Sequence, residues 1–238
     1  MQLLKNLFQV SGDLNGLTWA GKDAGFEDGN SYILETGQGL VMFDCGCGET
    51  FDQICQNMAY WNLDIDQVHA CFLTHAHLDH AGAAHNLRER TVKLIAHPET
   101  AEAMSKGDER CCGYLYHKSF IPTTIDQTIK DNETIEILGY QIKALHLPGH
   151  TRGCTAYVFE HQDKTILISG DIIGTLLAGD FGWSGSIDFD RKLYIESLRR
   201  LAKIDTDIML PGHGMAYFHK PRRRVEAVLN QALMQWRG

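Results

Sequence analysis

Thr74-His75-Ala76-His77-Leu78-Asp79-His80 places three imidazoles and one carboxylate within seven residues. The run before it, Val68-His69-Ala70-Cys71-Phe72-Leu73, is short and apolar, of the strand type. The run after it, Ala81-Gly82-Ala83-Ala84-His85-Asn86-Leu87, reads as the start of a helix. The cluster therefore falls on a strand-to-helix turn, where side chains converge on one point. Neutral imidazole is the commonest metal ligand in proteins, and a carboxylate adds charge. Three histidines and an aspartate held this close would crowd and repel one another without a cation among them.

Further along the chain, three more turns carry side chains of the same kind. They are Leu147-Pro148-Gly149-His150-Thr151, Ile168-Ser169-Gly170-Asp171 and Leu210-Pro211-Gly212-His213-Gly214. Each follows a strand-like run: Gln141–Leu147, Thr165–Ser169 and Asp207–Leu210. In each, a glycine permits a tight turn and the next residue is a ligand type. Strand ends that deliver His75, His77, Asp79, His80, His150, Asp171 and His213 describe a metal site at one edge of a layered fold.

The order H-x-H-x-D-H, then H, D and H, resembles the metallo-β-lactamase-fold hydrolases. The likeness runs from about Ser31 to His213 and is closest to the two-metal branch that includes glyoxalase II and the acyl-homoserine-lactone lactonases. That resemblance implies an α+β, four-layer αββα sandwich. It implies two divalent metal ions at the edge between two sheets. His75, His77 and His150 would hold one ion, Asp79, His80 and His213 the other, and Asp171 would bridge them. The implied chemistry is hydrolysis of a small ester, thioester or lactone by a bridging hydroxide, with Asp79 orienting the water or passing on its proton. A donor set of nitrogen and oxygen suits zinc first, and iron or manganese next. The zinc β-lactamases usually lack the bridging aspartate, and the stretch beyond His213 has room for one helix rather than the helical domain of glyoxalase II. Two related chemistries remain open on the same motif: a mononuclear-iron persulfide dioxygenase and a phosphodiesterase or nuclease.

The rest of the chain reads as alternating strands and helices. Strands are expected at Leu7–Val10, Leu14–Ala20, Ser31–Thr36, Leu40–Asp44, Thr91–Ala96, Glu133–Leu138, Cys154–Glu160 and Lys164–Ser169. Helical spacing of Phe51, Ile54, Cys55, Met58 and Trp61 predicts a helix over Glu49–Trp61, with Thr50 near its start as a cap. Further helices are expected at His80–Arg90, at Glu99–Lys106 after Pro98, at Asp190–Lys203 with Leu193, Ile195, Leu198 and Leu201 inward, and at Arg222–Trp236. The polar Lys22–Gly29 and the glycine-rich Ile172–Phe189, with Phe181 and Trp183, read as turns. Gly107–Lys130 breaks the rhythm; its Tyr114, Tyr116, His117 and Phe120 suit a lid over the site or a contact in a homodimer. A single domain is expected, made of two halves at about 1–135 and 136–238.

Composition narrows the function. The chain has 238 residues, 44% of them hydrophobic, and carries a net charge of −8. An acidic balance argues against nucleic acid, and the resemblance implies a small-molecule substrate. The basic run Lys220-Pro221-Arg222-Arg223-Arg224 reads as a solvated helix start. No apolar stretch reaches the ~20 residues of a membrane span, and no leader stands out, so a cytoplasmic location is expected. Seven cysteines, an odd number, do not suggest a disulfide framework. Cys45-Gly46-Cys47 lacks a second pair to complete a zinc set, and most of the cysteines read as small buried hydrophobes; Cys111-Cys112 falls in a loop, where reaction is an alternative to that reading. Thr74, Ser169 and Thr151 are candidates to hold the imidazoles from behind. Tyr194 and Tyr217 read as core residues close enough to reach a substrate. The remaining histidines, among them His117 in the suspected lid, read as structural or exposed.

Overall fold

The computed structural model describes residues 1–12, 28–173 and 184–236. Its first sheet has seven strands: β1 (Gln2–Leu4), β2 (Leu7–Ser11), β3 (Ser31–Thr36), β4 (Gly39–Phe43), β5 (Val68–Phe72), β6 (Lys93–Ala96) and β7 (Gln127–Thr128). They lie side by side in chain order, antiparallel up to β4 and parallel from there to β7. The second sheet has five strands: β8 (Thr134–Ile137), β9 (Tyr140–His146), β10 (Thr155–His161), β11 (Lys164–Gly170) and β12 (Ile208–Pro211). All its pairs are antiparallel except β11 with β12. The helices are α1 (Phe51–Tyr60), α2 (Leu78–Ala81), α3 (Ala84–Glu89), α4 (Pro98–Lys106), α5 (Arg191–Leu201) and α6 (Pro221–Gln235).

Alternation along the strands sorts side chains into layers. Tyr32, Leu34, Val41, Phe43, Ala70 and Phe72 of the first sheet meet Ile142, Ala144, Tyr157, Phe159, Ile166 and Leu210 of the second. The opposite face of the first sheet packs Ile33, Met42, Cys71 and Leu94 on Phe51, Ile54, Met58 and Leu87 of α1 and α3. The opposite face of the second packs Leu145, Ala156, Leu167 and Met209 on Leu198, Leu201, Val225 and Val228 of α5 and α6. This is the αββα sandwich that the resemblance implies. Its central layer is aromatic: the rings of Phe43 and Phe159 stack at 5.3 Å across the two sheets. Each such ring contributes roughly 1.5–3 kcal/mol by burial.

Two bonds lock the second sheet onto the end of β5. Tyr157 Oη donates to the Leu73 carbonyl at 2.8 Å. Thr155 N–H donates to the Thr74 carbonyl at 2.9 Å. The histidine-rich turn therefore leaves β5 already fixed to both sheets.

Several expectations are corrected. The helix expected over His80–Arg90 is two helices, α2 and α3, separated at Gly82-Ala83. Gly82 lies against the Cys47 carbonyl, and a Cβ there would collide with it. The close approach lets Cys45 N–H reach the His80 carbonyl at 2.7 Å and Ala83 N–H reach the Gly46 carbonyl at 3.1 Å. Thr50 does not cap α1 with its side chain; its hydroxyl donates to Asp28 Oδ2 at 2.5 Å instead. On α5, Tyr194 and Ser197 join Leu198 and Leu201 as the buried residues, with Asp190 Oδ1 capping the helix through Leu193 N–H. β1 is an added strand, too short to show a pattern. Gly107–Lys130 holds two single turns, Glu109–Cys111 and Gly113–Tyr116, and then β7. Within it Cys111 and Cys112 are fully buried. Burial pushes their thiols up, to about 12 and about 11, so both are buried small hydrophobes rather than reactive thiols. Leu14–Ala20, most of Lys22–Gly29, and Phe181 with Trp183 lie outside the described residues.

Gly82→Ala is expected to destabilise the protein by about 1–3 kcal/mol, the usual scale for a side chain forced into a filled space. Urea unfolding followed by circular dichroism checks this. A midpoint equal to wild type would show that the α2 turn is free to move away from Cys47.

Candidate metal centre

The loop after β5 and the short α2 carry His75, His77, Asp79 and His80. The turns after β9, β11 and β12 carry His150, Asp171 and His213. The structure brings all seven together. His75, His77, His150 and Asp171 form one group and Asp79, His80 and His213 a second, with the donor atoms of each group within 4.8 Å of one another. Six of the seven are buried and His213 is half-buried. Among the described residues, none of the other seven histidines joins either group.

The spacing inside the groups is that of a cation site. His77 Nδ1 faces His150 Nε2 at 3.1 Å. His80 Nε2 faces His213 Nε2 at 3.2 Å. Two imidazole lone pairs aimed at each other this closely repel unless a proton or a metal ion accepts them. His75 Nε2 is buried without a hydrogen-bond partner, which leaves its lone pair for a ligand. Asp171 touches both groups. Its Oδ1 lies 3.3 Å from His80 Nε2, and its Oδ2 lies 3.5 Å from His150 Nε2 and 3.4 Å from His213 Nε2. Asp79 Oδ2 lies 3.1 Å from His213 Nε2 and 3.4 Å from His80 Nε2. The donor set, with nitrogen and oxygen throughout and no thiolate, fits borderline divalent metal chemistry.

Charge is divided unevenly across the site. Burial and the neighbouring imidazoles of His80 and His77 hold His75 well below the usual histidine range. Burial and His150 bring His77 down to about 3. Burial also opposes charge on His213, but Asp171 and Asp79 outweigh it and raise the ring to about 10. His80 is raised the same way, chiefly by Asp171. Burial alone would raise the two carboxylates. His80 and His213 instead pull Asp79 down to about 2, and Asp171 lies well below the carboxylate range. With no metal competing, Asp171 and Asp79 thus favour protons on His80 and His213, while His75 and His77 favour the neutral ring.

Asp44, at the end of β4, is the residue that the sequence pattern misses. It sits buried at φ +52°, a left-handed conformation that aspartate tolerates. Its Oδ1 accepts from Thr74 N–H at 2.7 Å, and its Oδ2 accepts from the Thr74 hydroxyl at 2.7 Å and from His80 Nδ1 at 2.9 Å. The carboxylate thereby keeps the proton of His80 on Nδ1 and turns Nε2 towards the site. Thr74 Oγ1 also lies 3.0 Å from His75 Nδ1. Of the three residues expected behind the imidazoles, Thr74 alone makes such a contact among the described bonds: Thr151 donates to Cys154 Sγ at 3.2 Å and Ser169 to the Gly170 carbonyl at 3.2 Å. Tyr194 is core, its hydroxyl on the Ile172 carbonyl at 2.7 Å. Tyr217 pairs its backbone with Met209. Cys45 and Cys47 are buried beside the site without entering it.

The family model of the metallo-beta-lactamase superfamily matches residues 24–213. A hydroxyacylglutathione hydrolase of Haemophilus influenzae is 29% identical over 199 residues, 79% of this chain and 86% of its own length. A probable metallo-hydrolase of Bacillus subtilis is 25% identical over 83% of this chain and 90% of its own. An atrochrysone carboxyl ACP thioesterase of Aspergillus fumigatus is 27% identical over 78% of this chain, which spans only 50% of that larger protein. Among solved structures, the FEZ-1 metallo-beta-lactamase from Legionella gormanii superposes with a TM-score of 0.75 at 19% identity, covering 97% of this chain and 92% of that one. At that identity the likeness speaks for the fold alone.

Asp44→Ala is expected to cost about 3 kcal/mol or more, because buried donors on Thr74 and His80 lose their acceptor. It is also expected to weaken metal binding about 10–100-fold. Chemical unfolding and a zinc titration against a competing chelator measure the two effects. Chelator-treated protein is further expected to be most stable near pH 6.5. Below it, unfolded chains take up a proton that folded His77 refuses until about 3. Above it, folded His213 holds a proton to about 10 that unfolded chains have released, so stability falls as pH rises. Urea midpoints at pH 5, 6.5 and 9 test the sign on each side.

Proposed function

The chain belongs to the metallo-beta-lactamase superfamily, and we propose that it is a dinuclear metal-dependent hydrolase that opens a small thioester, ester or lactone. The observation that carries this reading is Asp171, a buried carboxylate with one oxygen on His80 and the other on His150 and His213. A single carboxylate shared by two ligand groups suits a site for two adjacent cations. His75, His77 and His150 would hold one ion, Asp79, His80 and His213 the other. Bound divalent ions would polarise the substrate carbonyl and bring the pKa of a shared water towards ~7. Zinc is the first choice for this donor set, then iron or manganese.

The chain's own groups supply the rest. Asp79, with Oδ2 beside His213 and His80, would accept a hydrogen bond from the attacking water and hand its proton on. Asp44 holds His80 in the tautomer that offers Nε2 to an ion. Burial of six of the seven donors excludes bulk water and strengthens each charge–dipole contact. No serine or cysteine nucleophile is required. The thioester arm of the reading is supported by the thioesterase and hydroxyacylglutathione hydrolase relatives, since an acyl-glutathione is itself a thioester.

The test is elemental analysis paired with a panel of thioesters, lactones and phosphodiesters. Two metals per chain with hydrolysis of a thioester or lactone are expected. One iron per chain with oxygen uptake would replace this reading by a dioxygenase. Asp171→Ala is expected to keep the fold and lose turnover by at least about 100-fold, the upper end of what loss of a partner behind the ligands costs. Near-wild-type turnover with a full metal complement would overturn the mechanism.

A further inference from the structure

Resting on the two-ion reading, we propose that Ser186 and Asp188 are positioning residues that fix the tautomer of His77 and tie it to the His150 turn. His77 turns Nδ1 towards His150 Nε2, so Nδ1 is the nitrogen that faces an ion. A neutral imidazole that ligates through Nδ1 carries its proton on Nε2, and that N–H needs an acceptor. Ser186 Oγ lies 3.4 Å from His77 Nε2, in a buried position. The serine has one hydroxyl proton, and it is spent elsewhere: Oγ donates to Asp188 Oδ1 at 2.6 Å. Its lone pairs are therefore the part that faces His77, with the Cys112 thiol a further neighbour of the hydroxyl, and the chain runs His77 N–H to Ser186 O–H to the Asp188 carboxylate.

The far oxygen of that carboxylate closes a second link. Asp188 Oδ2 accepts from the backbone N–H of Arg152 at 2.9 Å, two residues beyond His150. One aspartate thus bears on both facing imidazoles of the first group, on His77 through Ser186 and on His150 through its turn. Asp188 reaches the first group at one remove, through Ser186 and a backbone N–H, where Asp44 bonds the His80 ring directly. Nothing in the histidine-rich motif announces this, because Ser186 lies 109 residues from His77.

The proposal predicts an effect confined to one ion. Zinc titration of the full chain against a competing chelator should give two equivalents for wild type. In Ser186→Ala one of the two should weaken about 10–100-fold, with the other unchanged. Ser186→Thr, which keeps the hydroxyl, should restore affinity to within about threefold of wild type. Asp188→Asn, with one oxygen in place of two, should weaken the same equivalent, and it serves as the second variant if Ser186→Ala does not fold by circular dichroism. If wild type takes up two equivalents and Ser186→Ala binds both unchanged, the positioning role is wrong while the hydrolase reading stands. Equal weakening of both equivalents, or no rescue by threonine, would mark a general structural role and also overturn it. If wild type binds fewer than two equivalents, the underlying two-ion reading fails first.

Discussion

Two pairs of imidazole nitrogens face each other at 3.1 and 3.2 Å in the interior of this protein. Such pairs are repulsive unless a cation lies among them, and the rest of the molecule is arranged to keep them there. Burial raises the cost of charge on each ring. Asp79, Asp171 and Asp44 then lower it selectively at His80 and His213. A protein that needed only a stable core would place apolar side chains at these positions, since buried ionic clusters rarely improve on them. The arrangement has a rationale as a binding site.

The sandwich accounts for how four distant turns meet. β5, β9, β11 and β12 all end at the same edge, and each chain reversal there contributes ligands. The first sheet delivers four of the seven and the second the other three, so the site straddles the seam between the sheets. The seam itself is closed by the aromatic layer of Phe43, Phe72, Tyr157 and Phe159. Tyr157 belongs both to that layer and to the Leu73 carbonyl at the root of the histidine turn. Packing and ligand placement are thus coupled, and loss of the inter-sheet core would be felt at the site.

The ligands were legible because turn chemistry and ligand chemistry coincide in short windows: glycine, then histidine or aspartate, after an apolar run. The outer layers were legible through helical spacing, as in Phe51, Ile54 and Met58. What was hidden depends on contacts between distant segments. Asp44 reads as the polar end of an ordinary strand, and only the fold shows it beneath Thr74 and His80. Gly82 reads as a tolerated helix glycine, and only the approach of Cys47 shows why the helix divides there. Cys111 and Cys112 sit in an aperiodic stretch that reads as a loop, yet both are fully buried, Cys111 with its thiol on the Ala103 carbonyl of α4. Periodicity reports which face of an element is apolar. It does not report which segment 30 or 100 residues away will cover it.

Charge balance offers a reason for the third carboxylate. On the proposed two-ion reading, two dications bring four positive charges into a buried site. Asp171 and Asp79 offset two of them directly, and Asp44 offsets a third through the ring of His80. One positive charge then remains, which a hydroxide would neutralise. A site balanced this way would favour the ionised nucleophile over neutral water without any protein side chain acting as a strong base. If Asp44 were neutral instead, the site would carry an extra positive charge and hold hydroxide more tightly, at the expense of its reactivity. On this argument the carboxylate behind His80 tunes the nucleophile as well as aiming the ligand.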